Sequence, residues 1–175
     1  MIIESVENIK NELLMESIPK RNFPKAISFK FDSLYYEIAT QIKTTEISSE
    51  CVLFDSVNAV NENKEYSDAS YWAENVSEDN INSFWFFAQN GQGDLWLFDK
   101  ENKVYFYDHD LELFDIKNFT DLDIDFSKWL QYSYLNKEFD DKIMNGKIND
   151  EFRQNYKNKL SELSGLLLEN YPFEI

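Results

Sequence analysis

Several residue types are scarce in this sequence, and each scarcity excludes a class of protein. Only four glycines and three prolines occur among 175 residues, which excludes collagen-like and linker-like chains and disfavours glycine-rich phosphate loops. Cys51 is the single cysteine, so an intramolecular disulfide and a C-x-x-C motif are excluded. No apolar run approaches the ~18 residues of a membrane helix. The first residues also lack a basic segment leading into a long apolar one, so we expect a cytoplasmic protein without a membrane partner.

Positive charge is scarce as well. The chain has 17 lysines and arginines against 33 aspartates and glutamates, for a net charge of −16. Nucleic-acid binding depends on basic side chains that release counterions from phosphates, so we expect no direct nucleic-acid binding. The same negative field would attract a basic protein and speed its association. Charge that merely keeps the protein soluble is the alternative explanation.

What the sequence has in abundance is apolar and aromatic side chains, at 43% and 17% of the residues. This composition and length predict one domain over residues 1–175. Residues 83–88 are apolar on both alternating faces, which is typical of a central strand covered on both sides. Strands at 95–98 and 104–107, joined by turns at 90–93 and 99–102, would complete an antiparallel meander, and a short strand near 111–114 would extend it.

Helical spacing of apolar residues appears before and after this meander. The predicted α+β fold therefore consists of a single antiparallel-rich sheet, with its meander around residues 83–115, flanked by an N-terminal helix and two C-terminal helices. Between them we expect strand-like pieces, then a short helix with loops. The predicted helices are 5–16, 126–142 and 150–170, the first two capped by Ser5 and Asp125; the strand-like pieces within 31–60 include 35–42 and 51–54; the helix with loops is 61–82.

His109, the only histidine, lies between Asp108 and Asp110. A histidine among carboxylates can act as a general base or a metal ligand. Neighbours on an extended chain point to opposite faces, however, so the three groups would converge only in a special turn. We therefore interpret His109 as a solvated turn residue, and a hydrolase that uses these three residues remains a third hypothesis.

Two other patterns do not predict a cofactor or metal site. Asp121, Asp123 and Asp125 begin like a calcium loop, but the required glycine and final glutamate are replaced by Phe126 and Tyr132. The glycines at 91 and 93 lie between two strands, which is unlike a dinucleotide fingerprint. We expect no cofactor and no metal.

Acidic residues are densest in residues 99–125, where nine carboxylates face three lysines. A solvated loop is one interpretation, and a surface for a basic partner is the other. Carboxylates in or next to this segment can pair with arginine or lysine of a partner. The candidate contact residues are Asp94, Asp108, Asp110, Glu112, Asp115, Asp121 and Asp123.

A series of motifs runs through residues 83–132. They are an apolar strand at 84–88, the turn Asn-Gly-Gln-Gly-Asp at 90–94, an aromatic strand at 95–98, Val-Tyr-Phe-Tyr-Asp-His at 104–109, and Asp-Phe-Ser-Lys-Trp-Leu at 125–130. This series resembles the SUKH superfamily of Smi/Knr-type domains. The resemblance implies an α+β fold and no shared catalytic residues.

Most bacterial members of that family are thought to be immunity proteins that bind and block a cognate toxin, often a nuclease or deaminase. Our leading hypothesis is therefore a non-enzymatic protein that neutralises a basic toxin. A regulatory scaffold domain of the same fold is the second hypothesis. The oligomeric state is left open.

Overall fold

The computed structural model of the protein describes residues 1–16, 18–72, 78–111 and 114–175, without the side chains of residues 78 and 79. Among these residues the chain forms one sheet, with helices before, between and after its strands. This confirms the predicted single-domain α+β fold. No helix in the described ranges is both long and apolar enough to cross a bilayer. The helices are α1 (Val6–Leu13), α2 (Ser33–Ala39), α3 (Ser56–Tyr66), α4 (Glu78–Ile81), α5 (Phe126–Met144), α6 (Asp150–Leu163) and α7 (Gly165–Glu169).

In the described part of the chain the sheet has six strands, and their spatial order follows the chain from first to last. Every neighbouring pair is antiparallel. The predicted meander is confirmed, since the third, fourth and fifth strands follow one another through the two predicted turns. The strands are β1 (Thr45–Ser48), β2 (Cys51–Leu53), β3 (Phe84–Gln89), β4 (Leu95–Asp99), β5 (Lys103–Tyr107) and β6 (Thr120–Asp125).

The central strand β3 is buried on both faces, as its unbroken apolar run predicts. Trp85 and Phe87 point into a first core, which lies between the sheet and most of the helices. Phe86 points to the opposite face and into a second core. The alternation of side chains along the strand therefore divides the interior of the protein in two.

The second core is small and mostly aromatic. Its cover consists of residues from the end of α3, from short 3-10 turns and from irregular chain. Trp72 lies 4.8 Å, ring centre to ring centre, from Phe114, which in turn lies 5.0 Å from Phe119. Large rings cover much sheet surface with few residues, so long helices are not needed on this face.

One side chain attaches α3 to the sheet. Asn63 donates hydrogen bonds to the carbonyl oxygens of Ala59 and Phe86 and accepts one from the backbone N–H of Phe86. The β2–β3 ladder pairs only Val52 and Leu53 with Gln89 and Ala88, so Phe86 lies beyond the end of β2. The amide of Asn63 takes the place of a strand partner for Phe86, and α3 is held against β3.

The prediction of a strand over 35–42 is wrong, because residues 33–39 form the helix α2. The carboxylate of Asp32 accepts hydrogen bonds from the N–H groups of Leu34 and Tyr35, which caps the helix. Tyr35, Ile38 and Ala39 are then buried on one side. In so short a segment the apolar residues fit both periods, and the cap decides in favour of the helix.

The predicted extended region over 31–60 also ends too late. The strand predicted at 51–54 is confirmed over Cys51–Leu53, but α3 begins directly after Asp55. Asp55 is buried and accepts hydrogen bonds from the N–H groups of Val57 and Asn58. Burial alone would raise its pKa, but these N–H groups and the guanidinium of Arg21 together lower it below its ordinary value.

The helices predicted over 5–16, 126–142 and 150–170 are confirmed, with one internal break. The helix with loops predicted over 61–82 includes residues 73–77, which lie outside the described residues. Ser5 and Asp125 cap α1 and α5 as expected. The helix predicted over 150–170 is interrupted at Ser164, whose extended backbone ends α6 and whose hydroxyl caps α7. The break lets α7 turn, so that Leu167 is fully buried in the first core.

The predicted strand near 111–114 includes residues 112 and 113, which lie outside the described residues. Leu111 ends a 3-10 turn that begins at His109. The strand that extends the meander is β6, which lies further along the chain and pairs with β5.

Candidate functional site

The candidate site is the covering layer of the second core next to the carboxyl end of β5. We use the name acidic cover for its described residues, 108–111 and 114–119. Two 3-10 turns, His109–Leu111 and Ile116–Asn118, shape this layer. It carries three of the predicted contact carboxylates, those of Asp108, Asp110 and Asp115.

A tight turn between β3 and β4 supports one end of the acidic cover. The side-chain oxygen of Asn90 accepts hydrogen bonds from the N–H groups of Gln92 and Asp94, and Gly93 has a φ of +102°. Only a glycine adopts such a backbone conformation without strain. The Asn90 amide also donates to the carboxylates of Asp94 and Glu50, so the turn is fixed from both sides.

Asp94 has a structural role in this arrangement. Its residue is only 8% exposed, and its Oδ1 accepts hydrogen bonds from the backbone N–H and from ring Nδ1 of His109, the latter at 2.7 Å. These bonds join the β3–β4 turn to the start of the acidic cover. With its oxygens occupied within the chain, Asp94 has little capacity to contact a partner.

His109 is the residue on which the structure adds most to the sequence analysis. The 3-10 turn places Asp94 on one ring nitrogen and Asp110 at 3.4 Å from the other, so the chain is not extended here. The pKa of His109 is raised, chiefly because Asp94 accepts its ring hydrogen bond. The ring is a partly exposed turn residue, as interpreted, but it is held by a carboxylate distant in sequence.

The Asp94 and His109 pair resembles the acid and base of a hydrolytic triad in geometry. In the described part of the chain, however, ring Nε2 has the carboxylate of Asp110 at 3.4 Å and no hydrogen bond to a hydroxyl or thiol. A nucleophilic hydroxyl or thiol at that nitrogen is not present among those residues. The arrangement can hold a proton and orient a turn.

The same residues also offer ligand atoms to a cation. One ligand atom from each of Asp94, Asp108 and His109 lies within 4.8 Å of the others. A cation bound there would have to replace the hydrogen bond between Asp94 and His109, which already satisfies both groups. Exposed acidic clusters of this kind are common on protein surfaces, and the cluster of Asp94, Asp108 and His109 does not by itself indicate a metal site.

Two further predicted contact residues form ion pairs within the chain. Asp115 caps the second 3-10 turn and lies 2.7 Å from the ammonium of Lys117. Asp121 on β6 lies 2.5 Å from the ammonium of Lys103 on β5. A partner that used these carboxylates would compete with a cation already in place.

The remaining described candidates have open carboxylates. The side chains of Asp108 and Asp110 are exposed, that of Asp110 by 85%, and Asp123 is exposed on β6. Asp123 has a φ of +51°, a conformation that aspartate and asparagine tolerate better than most residues. Glu112 lies outside the described residues.

The acidic cover also carries exposed apolar side chains. Leu111 and Ile116, in the two turns of the acidic cover, are 43% and 61% exposed. Neither residue was among the predicted contact residues, and Leu111 was assigned to a short strand that would extend the meander. Single exposed apolar residues are ordinary on a protein surface, but apolar side chains combined with charged ones are typical of a protein interface.

The pairing of Asp94 with the 108–109 region could have been found from the predicted meander. In the β4–β5 ladder, Leu95 faces Tyr107, and each step back along β4 is matched by one step forward along β5. Continuing that register places Asp94 opposite Asp108. A histidine next to that position is then within reach of the Asp94 carboxylate.

Comparison with known proteins adds nothing to this geometry: no family model, no curated protein and no solved structure matches the chain.

Proposed function

We propose that this chain is a non-catalytic bacterial immunity protein that binds and neutralises a basic protein toxin in the cytoplasm. The partner docks on the acidic cover, and its toxin class is the nuclease or deaminase type that the SUKH resemblance implies. The observation that carries the proposal is that the acidic cover presents both the open carboxylates of Asp108 and Asp110 and the exposed apolar side chains of Leu111 and Ile116.

This combination matches the chemistry of a basic protein surface. Carboxylates accept charge-assisted hydrogen bonds from arginine and lysine, and those bonds are stronger than neutral ones. Exposed apolar side chains on the same surface provide area that is desolvated on binding. The net charge of −16 adds a long-range attraction, which raises the association rate more than the final affinity.

The first experiment is co-expression of the chain with the product of the gene immediately upstream in its genome. We expect that product to arrest growth when expressed alone and the chain to restore growth. The purified pair should then bind tightly, with an association rate that falls as salt is added. A toxic neighbour that is neither bound nor relieved would contradict the proposal.

The second experiment locates the interface with a matched control. The variant Asp108→Asn, Asp110→Asn removes the two open carboxylates of the acidic cover while keeping a side-chain oxygen at each position. We expect association to slow by about tenfold at low salt and its salt dependence to flatten. The control Glu16→Gln, Glu46→Gln removes the same charge from exposed positions elsewhere and should have a smaller effect.

Equal slowing in both variants would mean that net charge alone attracts the partner, and the acidic cover would no longer be the proposed interface. A neighbour that binds the chain but is harmless alone would favour the second hypothesis, a regulatory scaffold of the same fold. Both proposals use the same surface, so the toxicity of the partner distinguishes them.

A further inference from the structure

A groove of about 610 Å³ lies at the end of the sheet away from the Asp94 turn. Trp85 of the first core and Phe86 of the second core both line the groove, so it lies where the two cores meet. Segment 26–30 and α3 form its other sides. Its volume falls in the range of pockets that hold small organic ligands, ~300–1,000 Å³.

The lining of the groove combines an apolar floor with basic residues. The floor includes the mostly buried side chains of Val60, Ile81 and Trp85. Three exposed lysines belong to the lining, and each comes from a different part of the chain: Lys30, Lys64 and Lys100.

This collection of lysines is unusual in so acidic a protein. Among the lining residues that the structure describes, none is aspartate or glutamate. Within the described ranges, none of the three lysines has an ion-pair or hydrogen-bond partner of its side chain. Three cations that share one groove repel one another, and a bound anion would relieve that repulsion.

Uncharged polar groups add hydrogen-bonding capacity. Ser28 and Asn82 are exposed in the lining, and their side chains have no partner in the described part of the chain. By contrast, the amide of Asn63 is already occupied by the backbone of Ala59 and Phe86. The groove therefore has an apolar floor with spare donors and three positive charges.

We propose that this groove binds a small organic anion: a molecule with a flat, apolar body and an acidic group. The body would pack on the floor beside Trp85 and Phe86, and the acidic group would take hydrogen bonds from the lysine ammonium groups. The site is separate from the acidic cover, and its charge is opposite. It does not depend on the proposed toxin partner.

The test uses two fluorescent probes that share an aromatic scaffold. Anilinonaphthalene sulfonate is an anion, and N-phenylnaphthylamine is its neutral counterpart. We expect the native chain to bind one sulfonate probe, measured by fluorescence titration with calorimetry for the stoichiometry, and to bind the neutral probe more weakly. Added salt should weaken binding of the sulfonate only, since it screens the charges.

Two triple variants locate the binding. In Lys30→Gln, Lys64→Gln, Lys100→Gln we expect the dissociation constant of the sulfonate to rise about tenfold, since three attractive contacts are lost. The control Lys20→Gln, Lys43→Gln, Lys147→Gln makes the same change in net charge at exposed residues outside the groove. It should change the dissociation constant by less than about twofold.

Equal weakening in the two variants would overturn the proposal, because net charge alone would then explain the binding. Equal affinity of the wild type for both probes, or no binding of the sulfonate at all, would also overturn it. Urea unfolding of each variant shows whether it is folded during the titration. These substitutions are at exposed positions, so the native state should persist.

Discussion

The two faces of the sheet are covered in different ways. On one face, six helices contribute side chains to the first core, which contains 30 buried apolar residues among those described. On the other, short turns and the ends of helices cover a second core of nine. Both cores share the strands β3, β4 and β5, but the first core also takes side chains from β1, β2 and β6. The two cores therefore differ in the extent of sheet that they use as well as in their cover.

This difference separates stability from recognition. The first core holds the chain together through long helices, whereas the second supports the acidic cover through a few rings. Regions with few buried contacts open more readily than the rest of a protein. We therefore expect the surface that carries the open carboxylates to open locally while the first core remains folded.

The largest expected effect is in the first core. Trp129 is fully buried, and its ring centre lies 4.8 Å from that of Phe87. Trp129→Ala should lower the free energy of unfolding by about 3–5 kcal/mol, because it leaves a large cavity between α5 and the sheet. Urea unfolding measures this change, and Trp129→Phe, which retains a ring, should cost clearly less.

A smaller effect is expected in the second core. Phe114 packs against Trp72 and Phe119 beneath the acidic cover. Phe114→Ala should cost about 3 kcal/mol, the low end for such a change, because a cover made of short segments can partly collapse into the cavity.

Hydrogen exchange gives the sharper readout for Phe114→Ala. Amide exchange should speed up in β5 and around residue 119 but stay unchanged in α5. If Phe114→Ala destabilised the protein as much as Trp129→Ala and speeded exchange throughout, the two cores would form one cooperative unit, and the comparison would fail.

The smallest effect concerns the link between the β3–β4 turn and the start of the acidic cover. The raised pKa of His109 means that folding favours its protonated form. The resulting stabilisation is fully present below the ordinary histidine pKa, about 6.5, and is lost as the pH rises through the raised value. The ring is partly exposed, so solvent screening keeps the effect small.

His109→Gln provides the matched variant, because glutamine can still donate a hydrogen bond to Asp94 but does not titrate. Melting temperatures of the wild type and the variant, measured from pH 5 to pH 9, should show the wild type losing stability relative to the variant as the pH rises. Parallel curves would mean that the ion pair between Asp94 and His109 contributes no net stability.

His109→Gln also bears on the function. A binding protein should still neutralise its partner after this substitution, whereas a hydrolase that uses the histidine as a base would lose its activity. Growth rescue in the co-expression experiment measures this directly.

Much of the fold was predictable because local patterns determined it. The run over 83–88 indicated a strand buried on both faces, and side-chain alternation on a strand requires no tertiary information. The caps at Ser5 and Asp125 set the starts of α1 and α5 through hydrogen bonds within three residues. The candidate carboxylates themselves were also found from sequence.

What the tertiary structure decided depends on contacts between distant residues. The apolar residues of 33–39 fit a strand or a helix, and burial of Tyr35 against Trp85 and Phe98 accompanies the helix. Asp94, the partner of His109, is distant from it in sequence. The three lysines of the groove likewise come from three distant parts of the chain. The sequence therefore determined the local elements and the acidic charge, while packing decided which side chains meet, because only packing brings distant residues together.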